Sequence, residues 1–129
     1  MPIWQRTFGL QSLSNGYRAT PDVAFNADPD SGVSVYITDP FSGEGNWNVV
    51  GGTSLGAPAW AGIIASLGLN TTDVGRIMYD LAGRIGYTNP YGCFYDITSG
   101  SSGEYRARVG YDLITGLGTP NISCIDERA

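Results

Sequence analysis

Residues 51–58 read Gly-Gly-Thr-Ser-Leu-Gly-Ala-Pro, and an almost uncharged apolar stretch runs on from them to Leu67. Leu55, Trp60, Ile63, Ile64 and Leu67 fall close to i, i+3/i+4 spacing, which predicts a helix. The small residues Gly56, Ala57, Ala59, Ala61, Gly62 and Ala65 let neighbours pack close against it. Pro58 is tolerated only near a helix start, where its missing N–H costs little, so the helix begins close to Ser54. With almost no charge on any face, it is expected to be a buried, central helix. Ser54 then stands at a strand-to-helix junction, where free N–H groups and the positive end of the helix dipole can stabilise developing negative charge.

The flanking segments predict a mixed α/β chain. Pro21–Asp28 alternates apolar residues at Val23, Phe25 and Ala27, as a half-buried strand does. Asp28-Pro-Asp-Ser-Gly32 is a turn. Val33–Ile37 and Trp47–Val50 read as two strands of a hairpin around the turn Asp39–Gly45. A second helix is expected over about Thr72–Ala82, with Thr71 or Thr72 as N-cap and Gly83 just past its end. Trp47 and Trp60 are expected in the core. Asp22, Asp28 and Asp30 flank turns, which is enough to explain them. From residue 84 onward regularity gives way to Tyr-, Gly-, Ser- and Asp-rich sequence, and a loop region of that length is usually functional or tied down by a ligand.

The chain has 129 residues, enough for one modest domain, with a net charge of −5. That charge argues against nucleic acid and anionic membrane as partners. No apolar run approaches the roughly 20 residues of a membrane span, and no secretory signal is visible at the N-terminus. Cys93 and Cys124 are compatible with one disulfide or with two thiols. Asn70 and Asn121 begin N-x-S/T sequons, which matter only if a eukaryote secretes the chain.

Ser54 has two readings, helix N-cap and nucleophile. A serine nucleophile needs a base, and the chain contains no histidine. The base must then be a carboxylate, or a group outside this chain. A carboxylate base implies work in acid, because it is ionised well below pH 7. Asp96 and Asp112 stand in Gly-rich loops that could curl to offer carbonyls to calcium. Alternatively, Asp96 caps a turn and Asp112 pairs with Arg106 or Arg108.

Gly52-Thr-Ser-Leu-Gly-Ala-Pro58 resembles the nucleophile motif of the sedolisins, the serine-carboxyl peptidases with a subtilisin-like fold. Pro21–Pro29 with Gly32-Val33, Trp60–Ala65, Phe94–Gly100 and Gly110–Pro120 resemble further segments of that family, in the family's order, over roughly residues 17–121. The resemblance implies part of a subtilisin-like doubly wound sheet, with a β-hairpin, a buried nucleophile helix and an irregular calcium-binding C-terminal segment. It implies one partial domain over 1–129 with its calcium-loop region at 84–120, corresponding to the C-terminal half of the family's catalytic domain.

The roles it implies are few. Ser54 takes the place of the nucleophile. Asp96, Ile97, Arg108, Gly110 and Asp112 take those of the Ca2+ ligands: two carboxylates and three backbone carbonyls. Position 108, usually Gly in the pattern, is Arg here. The family's Glu base, its assisting Asp and its oxyanion Asp match nothing before Ser54. They are expected upstream, in an N-terminal half that would be this chain's partner. The implied activity is that of an extracellular, acid-acting endopeptidase or tripeptidyl peptidase on peptide or protein substrates, with this stretch inactive by itself. The alternative is a calcium-stabilised, non-catalytic remnant or binding module.

Overall fold

The computed structural model describes residues 1–85 and 92–129. Part of the expected calcium-loop region, residues 86–91, lies outside the described residues. The chain divides into two compact units, one formed by 25–62 and the other by 1–24 with 63–129.

In the 25–62 unit, β1 (Val33–Thr38) and β2 (Gly45–Val50) form the expected antiparallel hairpin, with Val33 opposite Val50 and Tyr36 opposite Trp47. β-branched residues favour the pleat. Asp39 closes the turn by accepting the N–H groups of Phe41 and Ser42 at 2.7 and 2.9 Å. Tyr36 and Trp47 meet edge to face at 5.4 Å. Trp47 is not a core residue as expected: 68% of it is exposed, because it packs on its cross-strand neighbour rather than into the core. A short 3-10 turn, Pro29–Ser31, precedes the hairpin, capped by the Asp28 side chain accepting from the Asp30 N–H.

α2 (Thr53–Ser66) matches the expected nucleophile helix in extent. It is not buried as expected: Ile63 is its one buried residue.

The expected strand over 21–28 is absent. Its backbone hydrogen bonds go to separate loops rather than to a ladder. The Ala24 N–H donates to Gly118 O at 2.9 Å, and Asp22 O accepts from the Leu117 N–H at 2.8 Å. Within the other unit, Ala27 O accepts from the Gly52 N–H at 3.0 Å.

In the larger unit, α1 (Ile3–Phe8) packs on α3 (Val74–Ile85). Phe8 meets Tyr79 edge to face at 5.3 Å, and Met78, Tyr79, Leu81, Ala82, Phe94, Leu117 and Ile125 are buried. The second helix starts and ends later than expected. Asp73 O accepts the Ile77 N–H, so the first turn begins there, and Gly83 lies inside the helix, where a Cβ would stand 3.8 Å from the Phe8 ring. Two short antiparallel pairs follow, β3 (Phe94–Tyr95) with β6 (Thr119–Pro120) and β4 (Ser101–Ser102) with β5 (Tyr105–Arg106). A disulfide joins Cys93 to Cys124 in the terminal helix α4 (Ile122–Arg128). The molecule is thus mixed helix and strand. Among the described residues every strand pairing is antiparallel, and no parallel doubly wound sheet is formed.

Candidate functional site

Ser54 is the second residue of α2 and is exposed. Gly52 sets its approach, with a φ of 79° that favours glycine. The Gly52 carbonyl accepts from the Leu55 N–H at 2.9 Å, which closes the turn into the helix. The N–H groups of a first turn have no intrahelical acceptor and carry the positive end of the dipole. Pro58 cannot donate to Ser54 O, the acceptor four residues back, so the helix lacks one bond at the serine itself. The junction presents a hydroxyl at the N-terminal end of the helix. Among the described residues no carboxylate hydrogen-bonds Ser54. In the same unit, Asp28 and Asp39 are engaged in turns, and the N–H groups they accept hold both carboxyls below the usual carboxylate range.

In the larger unit two hydrogen bonds link four of the five residues expected around calcium. Asp96 Oδ2 accepts from the Gly110 N–H at 2.8 Å, and Asp112 Oδ2 accepts from the Arg108 N–H at 3.1 Å. Both carboxylates therefore converge on the 108–112 loop. Asp112 is 1% exposed, and its Oδ1 accepts from the N–H groups of Ile114 and Thr115 at 2.9 and 2.8 Å. The expected alternative, an ion pair to Arg106 or Arg108, is not formed. Arg108 contributes its backbone instead, and the ion pairs among the described residues join Arg18 to Asp22 and Arg76 to Asp73 and Asp80. Asp96 Oδ1 is buried with no hydrogen-bond partner. A buried, unpaired carboxylate oxygen beside a second buried carboxylate is costly unless a cation is present, so the donor set fits a hard cation with oxygen ligands. Among the described residues no three His, Cys, Asp or Glu side chains cluster, so the remaining ligands would be carbonyls. Ile97, next to Asp96, is half-buried.

A third cluster was not legible in the sequence. Gln5 is fully buried, and its amide ties three elements together. Nε2 donates to Ala19 O at 2.8 Å, to Tyr79 Oη at 2.9 Å and to Asp22 Oδ1 at 3.1 Å, and Oε1 accepts the Ala19 N–H. Arg18 pairs with Asp22 through both guanidinium nitrogens. Burial pushes the Asp22 carboxyl upward, but the Arg18, Tyr79 and Gln5 hydrogen bonds outweigh it and hold the carboxyl below its usual value. Burial pushes the Tyr79 phenol well above its usual value and the Tyr111 phenol up to about 12. The Tyr111 hydroxyl donates to Pro21 O at 2.7 Å. Turn chemistry therefore does not account for Asp22, which joins α1, α3 and the calcium-loop region.

No family model matches the chain. Among curated proteins it is similar to Kumamolisin of Bacillus sp. (strain MN-32), 35% identical over 93% of this chain and 22% of that protein. It is similar to Tripeptidyl-peptidase sed1 of Aspergillus fumigatus, 36% identical over 81% of this chain and 15% of that protein. It is similar to Sedolisin of Pseudomonas sp. (strain 101), 30% identical over 95% of this chain and 20% of that protein. The chain thus spans only 15% to 22% of the length of these relatives. With most of its residues aligned to several of these peptidases, this stretch of chain belongs to the sedolisin family.

Proposed function

We propose that this chain is part of an acid-acting serine peptidase in which Ser54 is the nucleophile and a carboxylate takes the place of imidazole. The observation that carries the reading is the setting of Ser54, exposed at the start of α2 behind a left-handed Gly52, in a chain without histidine. In this reading Ser54 Oγ attacks the scissile carbonyl carbon. Its proton passes to the carboxylate and then to the leaving amine, and water releases the acyl group. The first-turn N–H groups of α2 favour the negative charge that develops on the carbonyl oxygen. The base and the supporting acids come from polypeptide beyond this stretch, which alone is inactive. Substrates are peptides or proteins, cleaved internally or as N-terminal tripeptides, and the setting is extracellular. Among the described residues no helix is long and apolar enough to cross a membrane.

Calcium in this reading is structural. Asp96 and Asp112 offer carboxylates, and Ile97, Arg108 and Gly110 offer carbonyls. The orphaned Asp96 Oδ1 supports it. When bound, the ion neutralises the two buried carboxylates and pins the irregular C-terminal third.

The test is made in the longer protein that contains this chain. Ser54→Ala should abolish peptide hydrolysis at acid pH and labelling by a serine-directed phosphonylating reagent, while leaving the melting temperature within a few degrees. Hydrolysis retained by Ser54→Ala would exclude the nucleophile. A calcium-stabilised, non-catalytic module is the second reading, favoured by the absence of a carboxylate bonded to Ser54 among the described residues. It predicts calcium binding with no hydrolysis and no labelling in the unsubstituted protein.

A further inference from the structure

Asn70-Thr-Thr72 and Asn121-Ile-Ser123 both have the pattern of an N-glycan acceptor, and the fold treats them in opposite ways. Asn70 is exposed in the turn between α2 and α3. Its Oδ1 accepts from the Thr72 N–H at 3.0 Å and from the Thr72 hydroxyl. Its Nδ2 donates to no group among the described residues. The hydroxyl that defines the sequon is thus bound to the side-chain amide, and the amide nitrogen is left without a competing acceptor among the described residues.

Asn121 is half-buried, and its Nδ2 donates to Gly92 O at 3.0 Å while its backbone N–H donates to Cys93 O at 2.9 Å. Cys93 and Cys124, which are 1% and 8% exposed, form the disulfide beside it. A sugar on that nitrogen would have to lodge where the segment before β3 and the start of α4 meet.

We propose that Asn70 is an N-glycosylation site in a eukaryotic secretory compartment, and that Asn121 carries no glycan in the folded product. The donor class is an oligosaccharide on a polyprenyl pyrophosphate. Nδ2 forms a bond to the anomeric carbon and gives up one proton, while the anomeric carbon–oxygen bond breaks and the pyrophosphate leaves with the electron pair. The Cys93–Cys124 disulfide suits the same oxidising compartment.

The test is secretion of the full chain from yeast or mammalian cells, followed by peptide mapping after enzymatic deglycosylation, which converts a glycosylated Asn to Asp. One glycan is expected, at Asn70. It should be lost in Asn70→Gln and Thr72→Ala, and kept in Thr72→Ser and Asn121→Gln. If a variant is not secreted, cell-free translation with endoplasmic reticulum membranes reads the same loss as a missing gel shift. An unmodified Asn70 in the wild-type product, or a glycan on Asn121 of the secreted protein, would overturn the proposal.

Discussion

The Tyr79 hydroxyl donates to Asp22 Oδ1 over 2.8 Å, although the two residues lie 57 positions apart. Arg18 and Gln5 share that carboxylate, and its pKa is held below the ordinary value. A depressed folded-state pKa stabilises the fold above the unfolded value of about 3.9 and loses that contribution as pH falls through the folded value. Asp22→Asn should therefore lower stability at neutral pH and flatten its dependence on pH below about 4. Denaturant titrations from neutral to strongly acid pH test this. An unchanged slope in that window would mean that Asp22 is not linked to folding.

Gly116 approaches the same residue from the loop side. A Cβ there would stand 2.4 Å from Asp22 O, at a φ of 60°. Gly116→Ala combines backbone strain with a clash against backbone that cannot rotate away, and should cost at least about 1–3 kcal/mol. Gly62→Ala is the control. A Cβ there meets nothing within 4 Å, and Ala in a helix should stabilise by about 0.5–1 kcal/mol. Melting temperatures moving in opposite directions would bear this out.

Removing the disulfide by Cys93→Ser with Cys124→Ser frees a loop of 31 residues. The expected loss is about 2–4 kcal/mol, read from chemical denaturation. The effect should be matched by adding reductant to the wild type, and the reductant should not shift the double variant.

Calcium should raise the melting temperature of the wild type by mass action, with about 2.7 kcal/mol gained at roughly a hundredfold excess over Kd. Chelator should reverse it. Asp112→Asn should lower the calcium increment strongly, because it removes a charge from the most buried carboxylate of the set. An increment unchanged by Asp112→Asn would place the ion elsewhere.

The hairpin and both long helices were legible because each is written in a local period, alternating from Val33 and repeating every three to four residues from Ser54 and from Val74. Gly83 misled because a glycine after an apolar run looks like a stop, while in the fold it sits inside the helix, where a Cβ would meet the Phe8 ring. The alternation over 21–28 predicts a strand, but a ladder needs a partner strand, and these residues bond to loops around Gly118 and Leu117 instead. α1 was missed because six residues carry too little periodicity. Gln5, which anchors it, pairs with residues 14 to 74 positions away, and no spacing rule reports that. At the candidate sites, residue types were readable, but the partners were not. That Arg108 lends its N–H rather than its guanidinium to Asp112 depends on how the loop curls.

α4 has seven residues, fewer than a helix needs to persist alone in water. It is held by Ile125 in the core and by the covalent link from Cys124. Its order is therefore partly borrowed from the chemistry of the surroundings: the last turn of the chain is a structure that an oxidising environment writes and a reducing one can erase.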